Sequence, residues 1–506
     1  MLAKTLMIQG TGSSVGKSIL VTALCRIFKQ QGLKVAPFKA QNMSLNSFVT
    51  ADGGEIGRAQ VVQAEAAGIA PTVEMNPVLI KPETDRNAQI IVRGKALTQI
   101  SAAHFPQLKA ELWSAIAESI DHLRRAYDLV IIEGAGSPAE INLKDRDLVN
   151  MKVALYCNAP VLLAADIDRG GIFAALVGTM ELLEPMERER VKAFIVNKFR
   201  GDVSLLTPGL AWLEARTGVP VAGVVPYYHD IHIAEEDSVS LEKRYAMKNR
   251  RDFDLDIAVI ALPHIANFDD FDPFEREPRV RLRYVEAGDD LGEPDLIILP
   301  GSKATVADLG YLRDSGREQE IIRAVSTGVP IIGICGGFQM LGTAIHDPDL
   351  IESTNELTAG MGLLPVATRF RAVKSTHQVK ARVLAGFGLL AKAKDAAISG
   401  YEIHMGNTDG NGTTRPFLIE QRSQEFCSDE DGALSADGNV VGAYIHGLFH
   451  NDALRRAILL ELAERKGMTL AARPSQFSAD EQYDRLAAHV RENLKMELIR
   501  RILNQR

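Results

Sequence analysis

The chain has 506 residues, of which 46% are hydrophobic and 24% charged, and its formal net charge is −8. This length is too great for one hydrophobic core, so two or three domains are expected. The negative charge argues against nucleic acid or an anionic membrane as the main partner. No apolar run reaches the roughly 20 residues of a membrane-spanning helix. The four cysteines are scattered, which disfavours a disulfide framework or zinc site and favours a reducing cytoplasm.

Short apolar runs alternate with helical segments in the first half of the chain. A strand at TLMIQG precedes the helix GKSILVTALCRIFKQQG and a second strand, KVAPF. Further strands are predicted at YDLVIIEGAG, APVLLAADID, VKAFIVNKF and VPVAGVVP. Near-continuous Val, Ile and Leu runs of this kind are typical of a parallel sheet covered on both faces, which binds ligands at the carboxyl ends of its strands.

A charged stretch over 241–254 has little periodicity and is predicted to be a linker. Strands resume after it at LDIAVIALP, PDLIILPGS, VPIIGICGG and GNVVGAYIHG. We therefore predict two doubly wound α/β domains, over 1–240 and 255–452, followed by a helical C-terminal tail over 453–506. The sequence leaves the oligomeric state open.

The segment IQGTGSSVGKS has the form of a phosphate-binding loop. Gly16, Lys17 and Ser18 end it, and five residues separate Gly16 from Gly10, which makes the loop a variant of G-x-x-x-x-G-K-[ST]. Backbone N–H groups of such a turn, which includes Gly12, face an anion at the N-terminus of a helix. We expect Lys17 to reach the β- and γ-phosphates of ATP and Ser18 to bind Mg²⁺.

An acidic metal ligand is then expected at another strand end. Glu133, in VIIEGAG, is the first candidate, and Asp166 and Asp168, in LLAADIDRGG, come next. The alternative for each is a solvated or capping carboxylate. Asn197, in FIVNKF, is either a reader of the nucleotide base or a turn residue.

The sequence GICGG fits G-x-C-x-G, the thiol form of the nucleophile elbow, whose tight strand-to-helix turn presents Cys335. A helix N-terminus next to the sulfur favours thiolate. We expect the N–H of Gly336 to stabilise an oxyanion, with Gly301 offering a second N–H. A cysteine nucleophile needs a histidine nearby. His446 ends a strand of the same domain and is the first candidate, and His404 is the second.

These residues resemble known families. The second domain resembles triad-type class I glutamine amidotransferases, in which cysteine attacks the glutamine amide to give a thioester and ammonia. The first domain resembles dethiobiotin-synthetase-like P-loop ligases. The combination resembles the cobyric acid synthase (CobQ/CbiP) family over nearly the whole chain. The stretches that carry this resemblance are VAPFKAQNMSLNSFVT, EIGRAQ, MNPVLIKP, NFDDFDPF, LPGSKAT and GYEIHMG.

The resemblance implies an ATP- and glutamine-dependent amide ligase that acts on a corrinoid with four propionate carboxylates, through an acyl phosphate and with Mg²⁺. It also implies corrinoid contacts in KAQNMSLNS, at Lys39, Gln41, Asn42 and Ser44, although the segment is alternatively a loop capped by its own Asn and Ser side chains.

One position departs from the wider amidotransferase pattern. A glutamate usually follows the histidine by two residues and orients it, whereas this chain has Leu448 there. The sequence therefore predicts a Cys335–His446 dyad whose orienting group is unassigned and is either a backbone carbonyl or a different carboxylate. Alternatives to the predicted function are a cobyrinic acid a,c-diamide synthase, a murein-lipid amidase, and a P-loop switch ATPase with an inactive amidotransferase domain.

Overall fold

The computed structural model describes residues 2–82, 87–101, 105–228, 233, 253–410, 412–470 and 477–505. The chain divides into two units. Unit 1 comprises Met1–Ser44, Ile56–Glu236 and Phe477–Arg506, and unit 2 comprises Leu45–Glu55 and Asp237–Gln476. The predicted linker over 241–254 lies outside the described residues except for its last two positions.

The first half of the chain contains twelve strands within the described residues. They are β1 (Lys4–Gly10), β2 (Val35–Phe38), β3 (Gln41–Met43), β4 (Ser47–Val49), β5 (Glu55–Gly57), β6 (Val78–Pro82), β7 (Asn87–Val92), β8 (Lys95–Ser101), β9 (Leu129–Glu133), β10 (Val161–Asp166), β11 (Val191–Phe199) and β12 (Val221–Pro226). Six of them form a parallel sheet in the order β12-β11-β10-β1-β9-β2. These are the six strands that the apolar runs predict. A smaller sheet, β3-β6-β7-β8, was not predicted.

Alternate residues of the parallel strands pack into two different cores, so both faces of the sheet are covered. In β1, Leu6 and Ile8 belong to one core and Met7 to the other. This confirms the doubly wound arrangement. Helices of unit 1 within the described residues are Lys17–Gln30, Arg58–Ala67, Phe105–Ala126, Met151–Tyr156, Ile172–Leu182, Pro185–Arg188, Thr207–Thr217, Ala479–Asn493 and Met496–Asn504, with 3₁₀ turns at Val73–Met75, Ile141–Arg146 and Val203–Leu206.

The C-terminal helices of unit 1 complete one of these cores. Leu486 and Ile499 are fully buried in the same cluster as residues of the helix Lys17–Gln30. The guanidinium of Arg26 donates to Asp484 at 2.6 Å and to Asp480 at 2.7 Å. The predicted tail over 453–506 is therefore divided, because its first helix, Asp452–Arg465, belongs to unit 2.

Unit 2 also contains a parallel sheet. The strands of the second half of the chain are β13 (Leu255–Ile260), β14 (Val280–Val285), β15 (Leu296–Leu299), β16 (Ile331–Ile334), β17 (Ala344–His346), β18 (Leu357–Ala359), β19 (Ala367–Val383), β20 (Ala397–Asp409), β21 (Phe417–Arg422), β22 (Glu425–Asp431), β23 (Ala433–Leu434) and β24 (Val440–Ala443). Strands β14-β13-β15-β16-β24 are parallel, and β23 is antiparallel at the edge. The α-helices are Asp272–Glu275, Thr305–Asp314, Arg317–Ser326, Gly336–Leu341 and Asp452–Arg465, with 3₁₀ turns at Phe268–Phe271, Gly388–Leu390 and Leu448–His450.

A second, mostly antiparallel sheet of unit 2 was not predicted. Its order is β18-β17-β19-β21-β22, and β20 pairs with β19. Strand β19 alternates buried and exposed residues and carries several charges, so it lacks the continuous apolar run that marked the parallel strands. Within the described residues, no helix is long and apolar enough to cross a membrane.

We expect Leu486→Ala to lower the free energy of unfolding of unit 1 by about 2–5 kcal/mol, because it leaves a cavity against the helix Lys17–Gln30. Hydrogen exchange of the amides of β1 and of that helix would measure the loss. The neighbouring exposed residue gives a matched control, Arg485→Ala, for which protection should be unchanged. Loss of protection confined to 477–505 would contradict the packing described here.

Candidate functional site

Cys335 stands at a sharp turn between β16 and the helix Gly336–Leu341. Its backbone has φ +51° and ψ −108°, a conformation that costs a non-glycine residue about 1–3 kcal/mol and is typical of functional sites. Two hydrogen bonds hold the turn: the Cys335 N–H donates to the Ala443 carbonyl at 2.8 Å, and the Gln339 N–H donates to the Cys335 carbonyl at 3.0 Å. The side chain is largely buried, and its Sγ lies 3.4 Å from the carbonyl oxygen of Ile403.

His446 follows β24, and a buried carboxylate holds its imidazole. Its Nδ1 lies 2.7 Å from Oδ2 of Asp270, and Cys335 is a second titratable side chain that interacts with the imidazole. The other carboxylate oxygen of Asp270 accepts the Gly447 N–H at 2.8 Å. Asp270 therefore fixes the ring through Nδ1 and leaves Nε2 for the thiol. Asp270 lies in the segment NFDDFDPF and supplies the orienting group that sequence reasoning left unassigned.

The charge on His446 depends on this pairing. Burial alone would lower the pKa of the imidazole, but the Asp270 carboxylate, with its hydrogen bond and that of Cys335, raises the pKa to about 10. The pKa of His446 in the folded chain is thus above its ordinary value of 6.5. The ion pair with Asp270 therefore contributes its full stabilisation below pH 6.5, and this contribution is lost as the pH rises through about 10.

Two stacked pairs of rings lie in this part of unit 2. Tyr401 stacks on His446 with ring centroids 5.3 Å apart and planes 14° from parallel. His404 stacks on Tyr444, and its Nδ1 lies 2.7 Å from the Gly406 carbonyl oxygen. Burial lowers the pKa of His404, which keeps that ring neutral. The structure thus brings His446, rather than the second candidate His404, into the hydrogen bond with Asp270.

The loop that follows β15 lies against the same imidazole. A Cβ on Gly301 would stand 2.9 Å from Cε1 of His446, so a side chain at this position would collide with the ring. The backbone nitrogen of Ser302 lies 2.9 Å from the point that a Cβ on Gly336 would occupy. Backbone N–H groups of this loop and of Gly336 therefore lie beside the cysteine turn.

At the phosphate-binding loop of unit 1, polar side chains hydrogen-bond to backbone carbonyl groups. Lys17 Nζ donates to the carbonyl oxygens of Gly12 at 2.8 Å and of Gly136 at 3.2 Å. Gly16 has φ +93°, and a Cβ there would lie 2.3 Å from Nδ2 of Asn197, so glycine is required. That Asn197 amide donates to the Val15 carbonyl at 2.8 Å and so supports the loop.

Glu133 is buried at the end of β9 within a set of polar side chains. Its carboxylate accepts hydrogen bonds from Ser18 at 2.8 Å, Lys39 at 3.0 Å and Gln63 at 2.5 Å. Burial alone would raise the pKa of Glu133, but the Lys39 charge and the three hydrogen bonds lower it overall, so the carboxylate is ionised. An ionised carboxylate next to the Ser18 hydroxyl is an oxygen donor set of the kind Mg²⁺ prefers.

The remaining candidates at this edge of the sheet have other partners. Asp166 pairs with Lys198 at 2.9 Å, and the same lysine donates to the Ser14 carbonyl of the phosphate-binding loop. Asp168 pairs with Arg200 at 3.0 Å. Strand β1, which leads into the loop, lies between β10 and β9 in the sheet. Asp166 ends β10 and Asp168 follows it on one side of β1, whereas Glu133 ends β9 on the other side.

The polar segment predicted to contact a corrinoid is divided between the units after Ser44. Lys39 pairs with Glu133, and the Asn42 amide donates to Gln60 at 3.0 Å. Ser44 is buried, while Gln41 is partly exposed. Lys39, a predicted substrate contact, thus belongs to the polar side chains around Glu133. A contact between Lys39 and Glu133 was not predicted from the sequence.

Two family models match the chain. One, described as a CobQ/CobB/MinD/ParA nucleotide binding domain, matches residues 6–241, and the other, a CobB/CobQ-like glutamine amidotransferase domain, matches 256–454. The chain is 55% identical to the cobyric acid synthase of Sorangium cellulosum, with 99% of each chain covered. It is 52% identical to that of Desulforamulus reducens (99% and 98% covered) and 50% identical to that of Dehalococcoides mccartyi (100% and 99% covered).

We expect Asp270→Asn to reduce glutamine hydrolysis by about 10⁴-fold, the size of effect that a wrong imidazole tautomer has in Ser–His–Asp enzymes. The change removes the charge that raises the pKa of His446, so less imidazolium is present at neutral pH. Glutamate release by the full chain measures the effect. Asp269→Asn is the matched control, at the neighbouring buried carboxylate, whose residue contacts His450 through its backbone carbonyl at 3.0 Å. Equal activity of the two variants would rule out the orienting role.

Proposed function

This chain belongs to the cobyric acid synthase family, and from this premise we propose that it converts adenosylcobyrinic acid a,c-diamide to adenosylcobyric acid in cobalamin biosynthesis. Four peripheral propionate carboxylates are amidated, with ATP as the energy source and glutamine as the nitrogen donor. One observation carries the proposal: identity of 50–55% is found over at least 99% of the chain, so the matched region spans both the phosphate-binding loop and the cysteine turn.

Glutamine is hydrolysed by Cys335 and His446 in this proposal. The thiolate attacks the side-chain amide carbon, and the oxyanion that forms accepts hydrogen bonds from the N–H groups of Gly336 and of the loop at Gly301. As the C–N bond breaks, the imidazolium gives its proton to the departing nitrogen, which leaves as ammonia. His446 then takes a proton from water, and the resulting attack on the thioester releases glutamate and restores the thiol. Asp270 holds the imidazole in position for both transfers.

The carboxylate of the corrinoid is activated at the phosphate-binding loop. Transfer of the γ-phosphoryl group of ATP gives an acyl phosphate and ADP, and attack by ammonia then forms the amide and releases phosphate. Lys17 leaves its carbonyl partners to neutralise charge on the transferred group, and Gly12, Gly16 and Ser18 hold the phosphates through backbone N–H groups.

Ser18 and Glu133 would hold Mg²⁺, with Asp166 as a more distant acidic group, and the ion would neutralise charge on the phosphates. Asn197 supports the loop that holds the nucleotide. Lys39, Gln41, Asn42 and Ser44 are proposed to contact the corrinoid. Residues 1–240 would then carry the ATP-dependent step and 255–452 the glutaminase, in a cytoplasmic C–N ligase.

Adenosylcobyrinic acid a,c-diamide incubated with ATP, glutamine and the full chain should gain four successive replacements of OH by NH₂, counted by mass spectrometry. Cobyrinic acid without the two amides serves as the competing substrate. Preferential double amidation of that acid would identify a cobyrinic acid a,c-diamide synthase and would contradict the proposal.

We expect Cys335→Ala to abolish glutamine-dependent amidation and to preserve amidation with ammonium, because ammonia enters after the cysteine step. Cys427→Ala, at a partly exposed position of β22, is the matched control and should use both nitrogen sources. The nitrogen source is varied at constant ATP, and amide formation is measured. Retention of glutamine use by the Cys335 variant would refute the assigned role of this residue.

A further inference from the structure

The segment Leu45–Glu55 belongs to unit 2, although its chain neighbours, Ser44 and Ile56, belong to unit 1. We propose that this segment is a positioning element for the glutaminase histidine, His446, and that glutamine hydrolysis depends on it. The inference rests on the proposed glutaminase reaction. Two separate sets of contacts, both within unit 2, carry it.

The first set begins at a reciprocal pair of asparagines. The Ser47 N–H donates to Oδ1 of Asn267 at 2.9 Å, and the Phe268 N–H donates to Oδ1 of Asn46 at 3.1 Å. Asn267 has φ +53°, a left-handed conformation that begins the 3₁₀ turn Phe268–Phe271. That turn contains Asp270, whose carboxylate holds Nδ1 of His446. The segment therefore fixes the start of the turn that presents the orienting carboxylate.

The second set reaches the face of the imidazole. The Phe48 ring packs edge-on against Tyr401, with centroids 5.2 Å apart and planes at 61°. Tyr401 in turn stacks on His446 and exchanges backbone hydrogen bonds with it, at 2.8 and 3.2 Å. Val49 is fully buried in the same small cluster, together with Ile403. Phe48 and Val49 thus support the ring against which His446 lies.

The rest of the segment is anchored to β19. The Gln378 amide donates to the Val49 carbonyl at 2.9 Å, and the Thr376 hydroxyl donates to the Gly53 carbonyl at 2.8 Å. Lys374 pairs with the buried carboxylate of Glu55 at 2.6 Å. The Thr50 hydroxyl closes the turn through the Gly54 backbone. These contacts fix the segment at both ends, as a positioning role requires.

The test measures how substitutions in the segment Leu45–Glu55 change the glutamine hydrolysis that depends on His446. We expect Phe48→Ala and Asn46→Ala to lower kcat for glutamine hydrolysis about 10- to 100-fold with little change in KM, as small displacements of catalytic groups do. Ammonium-dependent amidation should be preserved, which would show that the chain is folded. Phe48→Tyr keeps the ring and should retain most activity. Ala51→Ser, at an exposed position of the same segment, is the control.

A second readout follows the histidine directly. The rate of Cys335 alkylation by iodoacetamide, measured by peptide mass spectrometry against pH, reports the imidazole beside the thiol; the described titratable groups close to His446 are Asp270, Cys335, His404 and Tyr401. We expect the profile to shift in Phe48→Ala and Asn46→Ala and not in Ala51→Ser.

Unchanged kcat and an unchanged alkylation profile in both alanine variants would overturn the proposal. Equal loss of glutamine- and ammonium-dependent activity would also overturn it, because it would show a general structural role. If the unaltered chain releases no glutamate from glutamine, the proposed function fails instead, and the alkylation profiles still decide whether the segment positions His446.

Discussion

A carboxylate that is removed from water stays ionised only if a cation or hydrogen-bond donors replace the lost solvent. Both sites of this chain are arranged around such a group. Glu133 is 1% exposed and is held by Lys39, Ser18 and Gln63, while Asp270 is 1% exposed and is held by His446 and the Gly447 N–H. In each case the neighbours that hold the carboxylate include groups used in the proposed chemistry. Loss of one partner from a buried pair costs about 3–5 kcal/mol, so site geometry and local stability are coupled.

The parallel strands and the two chemical motifs could be predicted because their signals are local. Continuous apolar runs marked every parallel strand of the two doubly wound sheets except β14, whose sequence VRLRYV interrupts the apolar run with arginines. Cys335 was recognisable from the glycines beside it, and the pairing with His446 followed from its place at the end of an apolar strand. Strands β19 and β20 were missed, since their alternating polar sequence gives no such run.

Asp270 and the role of Leu45–Glu55 could not be predicted from local patterns. Asp270 is 176 positions from His446 in sequence, and the expected orienting position was occupied by Leu448. The pairing of Asn46 with Phe268 spans 222 positions. Such contacts are set by tertiary packing rather than by the spacing of residue types. The only sequence signal was indirect, in that VAPFKAQNMSLNSFVT and NFDDFDPF were both among the stretches that resembled the family.

The placement of the last 30 residues has a consequence for how the chain is made. Helices Ala479–Asn493 and Met496–Asn504 cover one face of the sheet of unit 1, whose last strand ends at Pro226. During translation, Leu24 and Ile27 therefore lack their final cover until the whole of unit 2 has left the ribosome. Unit 2 consists of the early segment Leu45–Glu55 and the continuous stretch Asp237–Gln476. We therefore expect it to be the first unit whose residues have all been synthesised. The amino-terminal half of the protein is then the last to be finished, and its uncovered apolar face is the surface on which a chaperone would act during synthesis.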